Sequence, residues 1–292
     1  MNRKTCIIIT GPTASGKTAY AIDLALKFNT QIISADSRQC FKELNIGVAK
    51  PSKEQLQKVK HYFINTHSIH EEVNAKIFEE YALRSVDEIF KNNDTAIMVG
   101  GTGLYIKAFC EGLDDIPETD EMIRKKLNEQ YLNKSIQWLQ NEIKLHDPQY
   151  FLKGEMQNPQ RMLRALEVKL STGKSILSFH FQKKIKRDFD IKTILMDLPR
   201  EQLYNNINTR VDEMIREGLV KEAESLFAFR QYNALQTVGY SELFNYFEGK
   251  ISLANAIEEI KKNTRHYAKR QITWLRKQQE NVIRNSINEI EF

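Results

Sequence analysis

Long apolar runs are missing from this chain of 292 residues. No stretch approaches the roughly 20 consecutive apolar residues that a spanning helix needs, so no membrane span and no membrane partner are expected. Cysteine is scarce. Cys6, Cys40 and Cys110 are odd in number and lack metal-ligand spacing, which excludes a disulfide framework and a cysteine-held metal. A reduced, cytoplasmic protein is expected, and the few residues before the first apolar run leave no room for a signal peptide. Internal repeats and low-complexity linkers are also absent. One large domain, or one carrying an insertion, is what the length allows.

What is present suits a soluble globular protein: 41% hydrophobic residues for a core, 28% charged residues, and a net charge of +5. Gly11-Pro12-Thr13-Ala14-Ser15-Gly16-Lys17-Thr18 has the glycine, lysine and hydroxyl spacing of a phosphate loop. The apolar run Cys6–Ile9 precedes it, and Ala19–Phe28 follows with helical apolar spacing. A strand, a glycine turn and a helix start let backbone N–H groups converge on an anion. Lys17 adds a full positive charge, and the Thr18 hydroxyl suits a phosphate or a bound Mg²⁺. The loop alone does not say whether a phosphate is transferred or simply leaves.

Further strands are expected at Gln31–Ser34, His61–Ile64, Ala96–Val99 and Lys192–Met196, separated by segments of helical periodicity such as Ala75–Phe90. Alternation of this kind implies an α/β fold with a doubly wound parallel sheet. Asp36 follows the second strand at the edge that faces ligand in such sheets, although an Asx turn or helix cap is the commoner role for a lone Asp after a strand. Gly100-Gly101-Thr102 follows the fourth strand and suggests close backbone approach to a ligand, with Thr102 as a polar contact. Asp197 ends the last strand and reads either as a metal-holding carboxylate or as a simple strand end. From about Asp120 to Ser171 the pattern is helical without a strand, and Asn158-Pro159 marks a helix entry. The expected division is a core over 1–116, a helical insertion over 117–188, and a return to the core over 189–292. Helices are expected again over Glu201–Phe229 and Leu253–Gln279.

Two stretches without acidic residues hold the uneven charge. Lys174–Arg187 interleaves five cations with Phe179, His180 and Phe181, and Lys261–Gln278 interleaves seven with His266, Tyr267 and Trp274. Solvated helix faces would account for them, but aromatics among cations favour a polyanion with unpaired bases.

Taken in order, several segments resemble the tRNA dimethylallyltransferases. They are Gly11–Thr18, Ile33–Gln39, Gly47–Pro51, Val99–Tyr105, Asn158–Glu167, Arg210–Met214, Val238–Leu243 and Thr264–Gln271. The resemblance spans nearly the whole chain. It implies a P-loop NTPase-like parallel sheet flanked by helices, with an all-α insertion domain. It also implies transfer of a dimethylallyl group from dimethylallyl diphosphate to the N6 amine of the adenosine 3′ to the anticodon in tRNA. By the same resemblance the catalytic set is Asp36 as general base with Thr18, Arg210 and Thr102, and Gly11–Thr18 hold the diphosphate with Mg²⁺ on Thr18. The tRNA contacts are Asp36, Ser37, Arg38, Gln39, Thr102, Arg124, Gln160, Arg161, Met162, Leu163 and Arg164. Helix capping or surface charge would explain several of these, and Glu213 at i+3 could make Arg210 an ordinary ion-pair partner.

The chain departs from the family pattern at Cys40 and Phe41, where an aliphatic residue and tyrosine are usual, and at Val48, where threonine is usual. It lacks the zinc-finger extension of eukaryotic relatives, which implies the bacterial type, and a monomer is expected. Three rivals stay open: prenylation of free adenine nucleotides, a phosphate-loop kinase using Asp197 as metal ligand, and a non-catalytic RNA-binding switch.

Overall fold

The computed structural model describes residues 3–180, 184–277 and 282–285. It divides into two compact units, one formed by Met1–Glu111 with Lys186–Phe292 and the other by Gly112–Ile185.

The first unit opens with β1 (Thr5–Thr10), α1 (Lys17–Lys27), β2 (Ile32–Ala35), α2 (Lys53–Lys58) and β3 (His61–Tyr62). It continues with α3 (Ala75–Ile89), β4 (Thr95–Gly100) and α4 (Gly103–Glu111). The second unit holds α5 (Glu121–Leu132), α6 (Ile136–His146), α7 (Pro148–Lys153) and α8 (Pro159–Thr172). The chain then returns through β5 (Asp190–Met196), α9 (Arg200–Glu217), α10 (Leu219–Leu226), α11 (Tyr240–Phe247), α12 (Leu253–Lys277) and β6 (Val282–Asn285).

The sheet has six strands in the order β3-β2-β4-β1-β5-β6, and each pairing is parallel. Its central strand β1 is an apolar run with Cys6, Ile8 and Ile9 fully buried, as expected where helices cover both faces. One face packs α1 through Ala21, Ile22, Leu24 and Ala25 against Ile7, Ile9, Ile97 and Val99. Because the strands are parallel, their C-terminal ends gather on one edge. The phosphate loop after β1, the Asp36 loop after β2 and the Gly101 turn after β4 therefore share that edge.

The helical unit has a core of its own, with Leu139, Ile143, Met162, Ala165 and Leu166 at its centre. The Asn158-Pro159 entry is present: the Asn158 side chain accepts from Arg161 N at 3.2 Å, and Pro159 occupies the first turn of α8.

Four elements differ from expectation. β3 stops at Tyr62 because Phe63 and Asn65 take left-handed backbone conformations that end the ladder. The expected helix over 201–229 breaks at Gly218, where φ is 107° and α10 sets off from α9. α11 and β6 are short elements that periodicity did not reveal. Phe181 and Lys183 of the first basic stretch, and residues 278–279 at the expected end of the last helix, lie outside the described residues.

Candidate active site

Two cavities open on the C-terminal edge of the sheet in the first unit, one of about 690 Å³ and one of about 480 Å³. The larger is walled by the phosphate loop from Thr13 to Thr18, the smaller by Ser37, Arg38, Thr264 and Arg270. Thr13, Asp36, Val48, Ala49, Arg210, Met214 and Tyr267 line both. The cavities meet at a carboxylate, an arginine and a tyrosine.

In the larger cavity Lys17 reaches back to the Pro12 carbonyl at 2.5 Å. The residue is only half-buried as a whole, but the loop encloses its ammonium end. Burial, with the Arg210 charge as a second cause, pushes its pKa down to about 7, while Asp36 acts in the other direction. The Ser15 hydroxyl is buried and has no hydrogen-bond partner among the described residues. A cationic cradle with an unpaired hydroxyl donor suits a phosphate oxygen. It also suits a Mg²⁺ that arrives with its anion, because Mg²⁺ keeps phosphate oxygens and few protein ligands. Thr18 supplies one hard oxygen in this wall, and among the described residues no cluster of three His, Cys, Asp or Glu side chains could hold a metal alone.

At the junction Asp36 uses one carboxylate oxygen, Oδ1, to accept from the backbone of Arg38 at 2.8 Å and of Gln39 at 3.2 Å. The Asx turn is therefore real, and it fixes the carboxylate at the border of the cavities rather than competing with a role there. The Arg210 guanidinium donates to the Thr13 hydroxyl at 3.3 Å. Burial lowers its pKa, countered by the fields of Glu213 and Asp36, so Glu213 acts on it through space. Burial likewise lowers Arg38, which lines the smaller cavity.

Thr102 lies behind the cavity wall: its hydroxyl accepts from Ser37 N at 3.1 Å and bonds the Tyr267 hydroxyl, tying β4 to the Asp36 loop and to α12. Burial and the nearby Asp36 charge push Tyr267 up to about 12, so it stays a neutral phenol. Gln39 is committed inward. Its amide accepts from Ser34 Oγ at 3.1 Å and donates to the carbonyls of Val48 and Ala49 at 3.3 and 3.1 Å.

The Val48 loop is held from the far side. Glu222 on α10 accepts from Ile46 N at 2.9 Å, Gly47 N at 3.0 Å and the Tyr240 hydroxyl at 2.6 Å. A Cβ at Gly47 would lie 2.6 Å from the Tyr240 ring, so only glycine fits beneath the loop. The glycines after β4 have a similar internal reason. A Cβ on Gly100 would meet the Ala35 backbone at 2.2 Å and one on Gly101 the Gln271 amide at 2.1 Å. Both also line the larger cavity. Asp197, by contrast, is exposed at the end of β5, lines neither cavity, and accepts from Leu198 N at 3.0 Å.

Arg124 and Gln160–Arg164 belong to the helical unit. Met162 and Leu163 are buried in its core, whereas Gln160 and Arg161 are exposed. Arg124 and Arg164 approach the buried Glu167 at 3.6 and 3.3 Å, and Arg164 also donates to the Thr119 hydroxyl at 2.8 Å.

Residues 39–278 match the model of a family described as IPP transferase. The chain belongs to that family. A tRNA dimethylallyltransferase of Christiangramia forsetii is 50% identical over 94% of this chain and 91% of its own length. One of Flavobacterium johnsoniae is 48% identical over 94% and 91%. Among solved structures, a full-length tRNA isopentenylpyrophosphate transferase from Bacillus halodurans is 32% identical, with a TM-score of 0.69 over 99% of this chain and 92% of that one. A eukaryotic dimethylallyltransferase described as acting on tRNA is 25% identical, with a TM-score of 0.79 over 96% of this chain and 73% of that one.

Within this IPP transferase fold, Tyr267, Gln271, Glu222 and Tyr240 are parts of the site that no sequence role had been given to. Tyr267 stood out as an aromatic among cations and as a member of the Thr264–Gln271 segment, without a role of its own, yet it lines both cavities. Glu222 carried no local signal at all.

Proposed function

We propose that this protein transfers a dimethylallyl group from dimethylallyl diphosphate to the N6 amine of the adenosine 3′ to the anticodon in tRNA, releasing diphosphate. The observation that carries the reading is the meeting of a phosphate cradle and a second cavity at Asp36 and Arg210. A donor with its diphosphate over Lys17 and the loop amides would direct its allylic carbon toward the second cavity, where a base drawn out of its stack would enter.

In the reaction the allylic carbon–oxygen bond breaks, its electrons leaving with the diphosphate, and a bond forms from N6 to that carbon. The proton on N6 passes to Asp36, whose Oδ1 is anchored in the turn. Negative charge grows on the departing diphosphate. Lys17, Arg210 and the Ser15 hydroxyl answer it in a partly enclosed site, where electrostatic stabilisation is strongest. Mg²⁺ bound with the anion at Thr18 would supply further neutralisation of that leaving charge.

Gln160, Arg161, Arg164 and Arg124 on the helical unit, together with the cations of α12, would contact the anticodon stem-loop through its phosphates. The working form is a cytoplasmic monomer. Among the described residues no helix is long and apolar enough to cross a membrane. A kinase reading loses its metal carboxylate, since Asp197 lines neither cavity.

The acceptor is tested by offering labelled dimethylallyl diphosphate with unmodified tRNA or with AMP. Label is expected on tRNA. Label on AMP alone would overturn the tRNA assignment.

A further inference from the structure

We propose that Gln271 is a positioning residue that latches the phosphate loop in the shape the departing diphosphate requires. It sits on α12, in a stretch whose neighbours Lys269 and Arg270 are exposed, yet it is 8% exposed itself. Both ends of its amide are engaged. Oε1 accepts from Thr13 N at 2.8 Å, and Nε2 donates to Gly101 O at 2.9 Å. One side chain thus ties the loop after β1 to the turn after β4. That turn is shaped around it, since any Cβ on residue 101 would lie 2.1 Å from Nε2.

The consequence for the loop is specific. Free N–H groups of a phosphate loop point at the anion. The Thr13 N–H is withdrawn from that set and fixed toward α12. With its backbone held there, Thr13 offers its hydroxyl to Arg210 at 3.3 Å. Gln271 therefore acts at second hand, by orienting Thr13 and through it the arginine that faces the leaving group. Nearby, the Asn206 side chain donates to Ala14 O at 3.2 Å, and Ala14 packs against the buried cluster of Leu203, Ile207 and Ala268. The latch is the polar part of a wider seat for the loop.

This inference rests on the proposed transfer only for its effect on turnover; its effect on anion binding stands by itself. The direct test is hydrogen exchange at the Thr13 amide in the unaltered protein, with and without inorganic pyrophosphate. Protection in both states is expected. An amide that exchanges freely alone and becomes protected only with pyrophosphate would assign it to the anion and overturn the latch. Gln271→Met keeps length but removes both hydrogen bonds. It is expected to weaken pyrophosphate binding about tenfold and to lower kcat about 10- to 100-fold, with KM for tRNA within about twofold. Gly101→Ala, which crowds Nε2 without removing it, should act in the same direction. Pyrophosphate affinity and kcat unchanged in both variants while Tm falls would reduce Gln271 to a packing role. Pyrophosphate binding without any prenyl transfer would count against the proposed function and leave the latch standing.

Discussion

Asp36 commits one carboxylate oxygen to structure and, in the proposed reaction, offers the other for chemistry. Oδ1 closes the turn to Arg38 and Gln39, and the group as a whole borders both cavities. Asp36→Asn can keep the turn, because an amide oxygen accepts the same two N–H groups, but it cannot take a proton. Turnover is expected to fall by about 10²–10⁴ with Tm and pyrophosphate affinity preserved. Steady-state kinetics with a thermal melt check this, and a turnover near that of the parent would leave Asp36 as a turn residue only. Lys17 gives a pH signature. With its pKa pushed to about 7, it is largely neutral in the free site at pH 8, and a bound diphosphate restores its charge. Pyrophosphate binding at pH 8 should therefore take up close to about one proton, seen by calorimetry in buffers of different ionisation enthalpy, and affinity should decline as pH rises above 7. For stability the sign is opposite. Between about 7 and the ordinary 10.5 the unfolded chain binds the proton that the folded one lacks, so the penalty of burying Lys17 diminishes as pH rises through that window.

At the scale of elements, the loop over Gly47–Lys50 depends on helices far along the chain. Glu222 gathers three donors, and Tyr240 supplies both a hydroxyl and the ring on which Gly47 lies. Tyr240→Phe removes one hydrogen bond to a carboxylate, a loss of about 1.5–3 kcal/mol. A lower urea midpoint at unchanged m is the expected readout, and a midpoint equal to that of the parent would show the clamp to be slack. Here the limits of the sequence are physical. The phosphate loop was legible because its chemistry is local: glycines, a lysine and a hydroxyl within eight positions, after an apolar run. Gln271 bonds a residue 258 positions away, and no local pattern announces such a pairing. The glycines after β4 were legible as a close approach, but what approaches them includes Ala35 and Gln271 as well as a cavity. β3 was overextended because Phe63 looks like a strand residue until its backbone conformation is known.

At the scale of the whole molecule, strand and helix alternation gave the parallel sheet, and loss of that alternation gave a helical unit inserted within it. The RNA role proposed for that unit was less legible. In Gln160–Arg164 the run mixes exposed polar residues with core residues, because an amphipathic helix presents both to any motif read linearly. Arg164→Ala is expected to weaken tRNA binding and to reduce the slope of log K against log salt by about one. Titrations at several salt concentrations check it, and an unchanged slope would place Arg164 off the RNA backbone.

On the proposed reaction, the phosphate loop holds a group that departs rather than one that is transferred. The stoichiometry of products from dimethylallyl diphosphate and an unmodified anticodon stem-loop, with ATP present as a competing substrate, distinguishes the two. Equal amounts of free diphosphate and N6-dimethylallyladenosine, the modified base lying 3′ to the anticodon and ATP remaining intact, are predicted. Consumption of ATP with phosphate appearing on an acceptor, and no prenylated adenosine, would contradict it.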